Sequence, residues 1–345
     1  MQRKIVLISV LAAVAVTVFV AAAVLLTQSG GAPQKSATTA VNGTHTQVFG
    51  VAGSQNYSAM RVAFEHGVRY FRVDIGFSNG TRSYINGLSA NGANMLGILD
   101  YNTVGAQASP NGCVSGCNWT LSDWNASVKN AIEEYPNITT WEIWNEPTIV
   151  NYVSGYENAS PYNYYQMIRS AYIIIKAAEP NSTVVCFGGA NLFPYGQQTF
   201  EWYSQVWRYG ASDYCDAISL HAYSGFAFLL NQTPSGYNQD VGQIWSSTIN
   251  GYENLTHKPI WITEVGIPSN DWSQYVSLSP QVQAEFLNQS FTLFSSYPFI
   301  KRVYWFQLWS GQSPQRDFGL LNATFGPNPS WNAFMDFYNS SASVR

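Results

Sequence analysis

Charge is what this chain most lacks. Asp, Glu, Lys and Arg make up 10% of its 345 residues, against about 25% in an ordinary soluble domain. The net charge is −4 and no cluster of Lys or Arg follows the first residues, so the electrostatic footprint of a nucleic-acid partner is missing. Histidine is almost as scarce, with 4 in the chain. No His pair or second Cys-X-X-Cys accompanies the cysteines, so no metal site and no cofactor are expected. No strand-like run leads into a GxGxxG turn, which excludes a dinucleotide fold.

Only 4 cysteines are present. Cys113 and Cys117 sit in CVSGC, a short Gly-containing loop read as a small disulfide ring rather than half a metal site. Cys186 and Cys215 fall on successive strand-like runs, where a bridge and a pair of buried thiols both fit. The surface is supplied by Asn, Ser, Thr, Tyr and Gln in place of charge. Thirteen Asn-X-Ser/Thr sites run from Asn42 to Asn339, more than the acceptor pattern for N-glycosylation yields by chance alone. A surface poor in carboxylates also suits an acidic exterior, where they would be neutralised.

One long hydrophobic run exists. Arg3 and Lys4 precede an apolar stretch from Ile5 to Leu26, near the ~20 residues that span a bilayer and beyond the ~7–15 of a secretory core. Held with its positive end inside, it would leave everything after it outside. The organisation expected is therefore a signal anchor or cleaved signal peptide over 1–26, a Gly/Ser/Thr linker over 27–42, and one domain over 43–345. That places the protein outside the cell, membrane-anchored through its N-terminal helix or secreted, and monomeric.

From residue 46 onward, short β-rich runs alternate with helical segments, the signature of a parallel sheet with crossover helices. Strands are predicted at 46–53, 68–76, 94–101, 139–147, 183–190, 216–223, 259–266 and 301–309. Helices are predicted at 58–67, 121–135 (with Ser122 as N-cap), 161–180, 279–297 and 329–338. Eight such units make a (β/α)8 TIM barrel, which carries its chemistry where strands end.

Asp74, Asp100, Glu146 and Glu264 all lie in the last positions of a predicted strand. An isolated acid at a strand end is more often a cap of the next helix, and the first two read so. Glu146 closes Trp-Glu-Ile-Trp-Asn-Glu-Pro (141–147), beside Asn145, which suits a substrate hydroxyl. Glu264 closes Pro-Ile-Trp-Ile-Thr-Glu (259–264), again an apolar strand ending in a carboxylate. Two carboxylates aimed over one barrel axis suit glycosidic cleavage, one protonating the leaving oxygen and the other attacking the anomeric carbon or activating water. Glu142 shares the face of Glu146 but lies deeper and reads as structural.

WEIWNEP and PIWITEVG, in this order and spacing, resemble the strand-four acid/base and strand-seven nucleophile motifs of the clan A glycoside hydrolases, cellulase-like retaining β-glycanases. The resemblance implies that Glu146 is the acid/base and Glu264 the nucleophile. Further positions are similar to members of families five and thirty-nine: Arg72 in YFRVDIG, and His221 and Tyr223 in LHAY. Trp309, followed by Ser310, resembles the strand-eight tryptophan that floors the sugar subsite, often through a non-proline cis peptide, with Trp305 as the competing candidate. Where family five carries a histidine near the end of strand three, this chain reads Asp100-Tyr101-Asn102.

The bland readings stay open beside these. Arg72 could pair with Asp74 or Glu142 inside the barrel, and His221 could be a satisfied core residue. The expected function is a retaining hydrolase of a β-linked polysaccharide or oligosaccharide, such as a glucan, xylan or mannan. An exo-acting β-glycosidase, a transglycosylase and a catalytically silent glycan-binding barrel are the alternatives.

Overall fold

In the computed structural model the described residues are 47–53, 56–100, 102–104, 119–148, 160–193, 196–225, 227, 229–270, 278–309, 311 and 317–342. The apolar run of 5–26, the 27–42 linker and Cys113 and Cys117 lie outside them. Among the described residues no helix is long and apolar enough to cross a membrane. The barrel belongs to the compact unit Thr44–Arg345.

Eight parallel strands close on themselves in chain order. They are β1 (Val48–Ala52), β2 (Tyr70–Asp74), β3 (Asn94–Leu99), β4 (Thr140–Ile143), β5 (Thr183–Asn191), β6 (Ala217–Tyr223), β7 (Ile260–Gly266) and β8 (Ile300–Phe306). β1 pairs with β8, Val48 opposite Arg302 through Ala52 opposite Phe306, and that ladder shuts the barrel. The helices between and after them are α1 (Tyr57–Glu65), α2 (Asn79–Ala90), α3 (Leu121–Glu134), α4 (Pro161–Ala178), α5 (Gly196–Arg208), α6 (Val241–Thr256), α7 (Pro280–Ser295) and α8 (Pro329–Ala342).

Helix starts follow capping chemistry. Thr120, not Ser122, caps α3, because Asp123 three residues on returns the hydrogen bond to the Thr120 backbone and completes a capping box. Ser160 and Ser279 cap α4 and α7, each followed by Pro at the first helical position, where a missing N–H costs nothing. α2, α5 and α6 fall in stretches where no helix was predicted. β4 stops at Ile143, short of the predicted 147, because Trp144 has a φ of 69° that leaves extended geometry.

Strand alternation sorts the side chains into two layers. Outward residues such as Ile218, Leu220, Ile262 and Trp305 join the helices in the main core. Inside the barrel, Ala52, Leu96, Val185, Ala217, Trp261 and Tyr304 pack as a separate cluster. Arg302 lies over the Trp261 ring, 4.0 Å from its centroid. Above this apolar plug the inward positions turn polar: Arg72 on β2, Glu142 on β4, Ser219, His221 and Tyr223 on β6, Thr263 and Glu264 on β7. A polar layer resting on an apolar plug at the strand ends is where the site lies.

Candidate active site

Arg72 is 1% exposed and holds three partners. Its Nε donates to Glu142 Oε2 at 2.5 Å, Nη1 to Glu264 Oε1 at 2.5 Å, and Nη2 to Asn145 Oδ1 at 2.8 Å. Arg72 therefore combines the pair with Glu142 that the sequence left open and a contact to Glu264. Burial acts against the charged guanidinium, and Glu142 and Glu264 overcome it, so its pKa is raised and it stays a cation. Because Asn145 Oδ1 is taken by Arg72, its amide NH2 edge is the one able to donate to a ligand. Glu142 is fully buried and also accepts from Thr263 Oγ at 2.9 Å.

Glu264 reaches this layer through an irregularity. Between β6 and β7 the register runs Leu220 opposite Ile262, then His221 opposite Glu264, so Thr263 is an extra residue. The bulge lets two consecutive side chains, Thr263 and Glu264, face the axis, which strict alternation forbids. Tyr223 Oη donates to Glu264 Oε2. Burial and the adjacent Glu264 push that phenol well above its ordinary value, so it remains the donor.

Glu146 arrives differently. It follows β4 in left-handed backbone, with φ of 47°, a conformation that persists in a non-glycine residue only where its surroundings impose it. Its backbone N–H donates to Gly188 O at 2.6 Å. Its Oε1 lies 2.9 Å from Nδ1 of the fully buried His221, and the same nitrogen is 3.6 Å from Glu264 Oε2. Burial disfavours the imidazolium, but Glu264 and Glu146 outweigh it and raise the His221 pKa. One ligand atom from each of Glu146, His221 and Glu264 lies within 4.8 Å of the others, a spacing that could hold a metal ion. Arg72 and Tyr223 already occupy both oxygens of Glu264 with a cation and a donor, which opposes a metal there.

Of the two strand-eight tryptophans, Trp305 departs from the expected placement. Trp305 faces outward, fully buried against Phe286 and Phe291 of α7, with its indole N–H on Phe318 O. Trp309 lies beyond β8, bridged to Leu321 and 5.5 Å from the Phe325 ring. Phe306 shares the inward face of β8 with Tyr304 and lies 6.2 Å from the Tyr223 ring. Parity along β8 would have found it, since Tyr304 and Phe306 share a face that Trp305 does not. Among the described residues a cis peptide joins Phe306 and Gln307; the bond between Trp309 and Ser310 lies outside them.

Asp100 is buried at the end of β3, accepting from the Asn102 backbone N–H at 2.8 Å. Burial and the charge of Asp74 hold its carboxyl well above the usual range. A cavity of ≈ 130 Å³ opens beside Asp74 and Asn102, between Tyr57, Thr81 and Ile85. Cys186 and Cys215, open between thiols and a bridge, form a disulfide that ties β5 to the residue before β6.

The sequence profile of the glycosyl hydrolase catalytic core matches residues 113–330. No curated protein sequence matches the chain. Among solved structures, a family 39 glycoside hydrolase from the gut symbiont Bacteroides cellulosilyticus is similar at 20% identity and a TM-score of 0.60, over 86% of this chain and 64% of that one. The chain thus spans just under two thirds of that relative. A family 128 (subgroup I) endo-β-1,3-glucanase from Amycolatopsis mediterranei is similar at 18% identity and a TM-score of 0.53, over 85% of this chain and 98% of that one. A β-D-glucuronidase from Dictyoglomus thermophilum is similar at 14% identity and a TM-score of 0.56, over 86% and 50%. At such identities the structures establish the shared barrel. The profile match covers well over half of the sequence, and the chain belongs to the glycosyl hydrolase catalytic core family, here on a closed (β/α)8 barrel.

Proposed function

We propose that the chain is a glycosidase that works by double displacement with net retention, Glu264 as nucleophile and Glu146 as acid/base. One observation carries the reading: carboxylate oxygens of Glu146 and Glu264 come within 4.8 Å of each other. Retention takes carboxyl groups about 5–5.5 Å apart, whereas inversion needs about 6.5–9.5 Å to admit a water. The partners divide the roles. Arg72 and Tyr223 each donate to one oxygen of Glu264 and hold its carboxylate in a fixed orientation over the barrel axis. Among the described residues no arginine pairs with Glu146, and its carboxylate meets the His221 imidazole.

In the first step Glu264 attacks the anomeric carbon while Glu146 gives its proton to the departing glycosidic oxygen, leaving an ester to Glu264. In the second, the Glu146 carboxylate takes a proton from water as that water attacks the same carbon and frees Glu264. The NH2 edge of Asn145 is placed to donate to a sugar hydroxyl, and Phe306 offers an apolar ring at the mouth.

The substrate we favour is an extracellular β-linked polysaccharide cut internally. Support for the location is the 5–26 run, the Cys186–Cys215 disulfide, which belongs to oxidising compartments, and exposed sequons such as Asn79, Asn137, Asn181 and Asn254. Endo action on a β-glucan is also what the similar enzyme from Amycolatopsis mediterranei performs. The test is a panel of β-1,4-glucan, β-1,3-glucan, xylan and mannan with Glu146→Ala and Glu264→Ala. Each substitution should lower activity by orders of magnitude. Azide should rescue Glu264→Ala to an inverted glycosyl azide and Glu146→Ala to a retained one. The opposite pattern exchanges the roles, and full activity in either variant overturns the assignment.

A further inference from the structure

We propose that Gly189 is a positioning residue for Glu146, acting through His221; this rests on the reading of Glu146 as the acid/base. β5 carries an unusual distortion. Its register to β6 runs from Cys186 opposite Ile218 to Ala190 opposite Leu220, four residues advancing against two. The extra length is taken up by Phe187, Gly188 and Gly189, three consecutive left-handed residues with φ of 79°, 54° and 80°. Left-handed backbone in a row is costly for L-residues, so something must hold it.

The restraints are visible. Ser219 Oγ accepts the Gly189 N–H at 2.8 Å and donates to Cys186 O at 3.0 Å, bridging the neck of the bulge. Tyr203 Oη donates to Phe187 O. The Cys186–Cys215 disulfide pins the residue where the distortion begins. A surface made of backbone alone is thereby fixed against the catalytic pair.

That surface touches Glu146 twice. Gly188 O accepts the Glu146 backbone N–H, and a Cβ on Gly188 would lie 2.8 Å from Trp144 O, within the turn that delivers Glu146. Gly189 meets the imidazole. A Cβ there would stand 2.1 Å from His221 Nε2 and 2.4 Å from Cε1, separations that no side chain survives. The ring lies against the bare α-carbon, and only in that seat does its Nδ1 reach Glu146 Oε1 at 2.9 Å.

The wall also selects a tautomer. Nε2 of His221 is buried with no hydrogen-bond partner among the described residues, and an N–H there would be an orphaned donor. The neutral ring therefore carries its proton on Nδ1, donating to Glu146 Oε1. The other oxygen of Glu146 is left to carry the proton that goes to the leaving group. The imidazole cannot intercept that proton, because its one free site faces Gly189.

The test uses the full chain with ring-15N histidine, which gives few signals because the protein has 4 His; His221→Gln assigns the resonance. The wild type should show the Nδ1–H tautomer, and Glu146→Gln should lower the His221 pKa by removing a carboxylate. Gly189→Ala should abolish the Nδ1–H signature and move the titration in the same direction as Glu146→Gln. Should Gly189→Ala fail to fold, Ser219→Ala, which frees the neck of the bulge, carries the same expectation in weaker form. A wild-type His221 signal and titration in the variant that folds overturns the proposal. Activity of Glu146→Gln on the β-glucan, xylan and mannan panel judges the acid/base reading separately: full activity there sinks that reading whatever the resonance does.

Discussion

Replacing Arg72 by methionine keeps most of the volume and removes the charge at the centre of the polar layer. Glu142 is 0% exposed and loses its Nε donor, keeping Thr263. Glu264 keeps Tyr223. Removing one partner of a buried ion pair costs about 3–5 kcal/mol, chiefly through the stranded charge. The stranded carboxylate escapes by binding a proton, so its folded pKa rises above its unfolded value near 4.3. A group raised in this way supports folding below the unfolded pKa and loses that support as pH rises. The loss is about 1.4 kcal/mol per pH unit for one proton. Across the roughly 2.7 units from 4.3 to 7 it amounts to at most about 3.7 kcal/mol, inside the range for a broken pair. The gap between wild type and Arg72→Met, followed by thermal or denaturant unfolding from pH 4 to 7, should therefore be about 3–4 kcal/mol at pH 7 and about 1 kcal/mol or less at pH 4. A gap of the same size at both ends, or below about 1 kcal/mol at pH 7, would show that Arg72 is not the counter-charge of this layer.

Asp100→Asn should stabilise the protein at pH 7 and leave it nearly unchanged near pH 3.5. Burial and Asp74 raise the Asp100 pKa, so the native carboxyl is favourable only below the unfolded value near 3.9 and becomes a burden above it; unfolding curves at the two pH values decide this. Cys186→Ala with Cys215→Ala opens a loop with a sequence separation of 29, which chain entropy values at about 3–4 kcal/mol, and calorimetry should show Tm falling by roughly 6–10 °C. Tyr223→Phe removes one hydroxyl from Glu264, and steady-state kinetics should show kcat/KM about 10- to 100-fold lower, the worth of a hydrogen bond to a charged group.

The barrel was legible because its strands are apolar runs of the length that parallel sheets bury, separated by helices with strong caps. Three helices escaped for a common reason. α2 reads NGTRSYINGLSA, α5 GQQTFEWYSQVWR and α6 VGQIWSSTINGYENLT, each with Gly, Ser or Thr lowering intrinsic propensity. Their helicity comes instead from the face each turns to the sheet, as with Tyr203 and Val206 or Trp245 and Ile249. The end of β4 differs where Trp144 leaves extended geometry, and the cap of α3 is Thr120 rather than Ser122, although the helix begins at 121 as expected.

The site divides along the same line. Residues that follow alternation could be placed from the sequence: Arg72, His221 and Tyr223 face the axis because their neighbours Val73, Leu220 and Ala222 face the helices. Trp305 shows the rule applied too loosely, since its parity with Val303 already turned it outward. Glu264, Glu146 and Gly189 belong to another class. Each depends on a broken register or a left-handed φ, and no periodic pattern predicts where a strand will distort. The two glutamates stand out in the sequence as strand-end carboxylates set in the WEIWNEP and PIWITEVG motifs. A glycine has no such chemistry, and FGGA reads as ordinary small-residue filling until the imidazole is seen resting on it. Distortions that aim a side chain concentrate where function needs geometry a regular strand cannot supply. In this barrel they cluster on β4, β5 and β7, around one pair of carboxylates, which is itself a physical argument that the pair is the working centre.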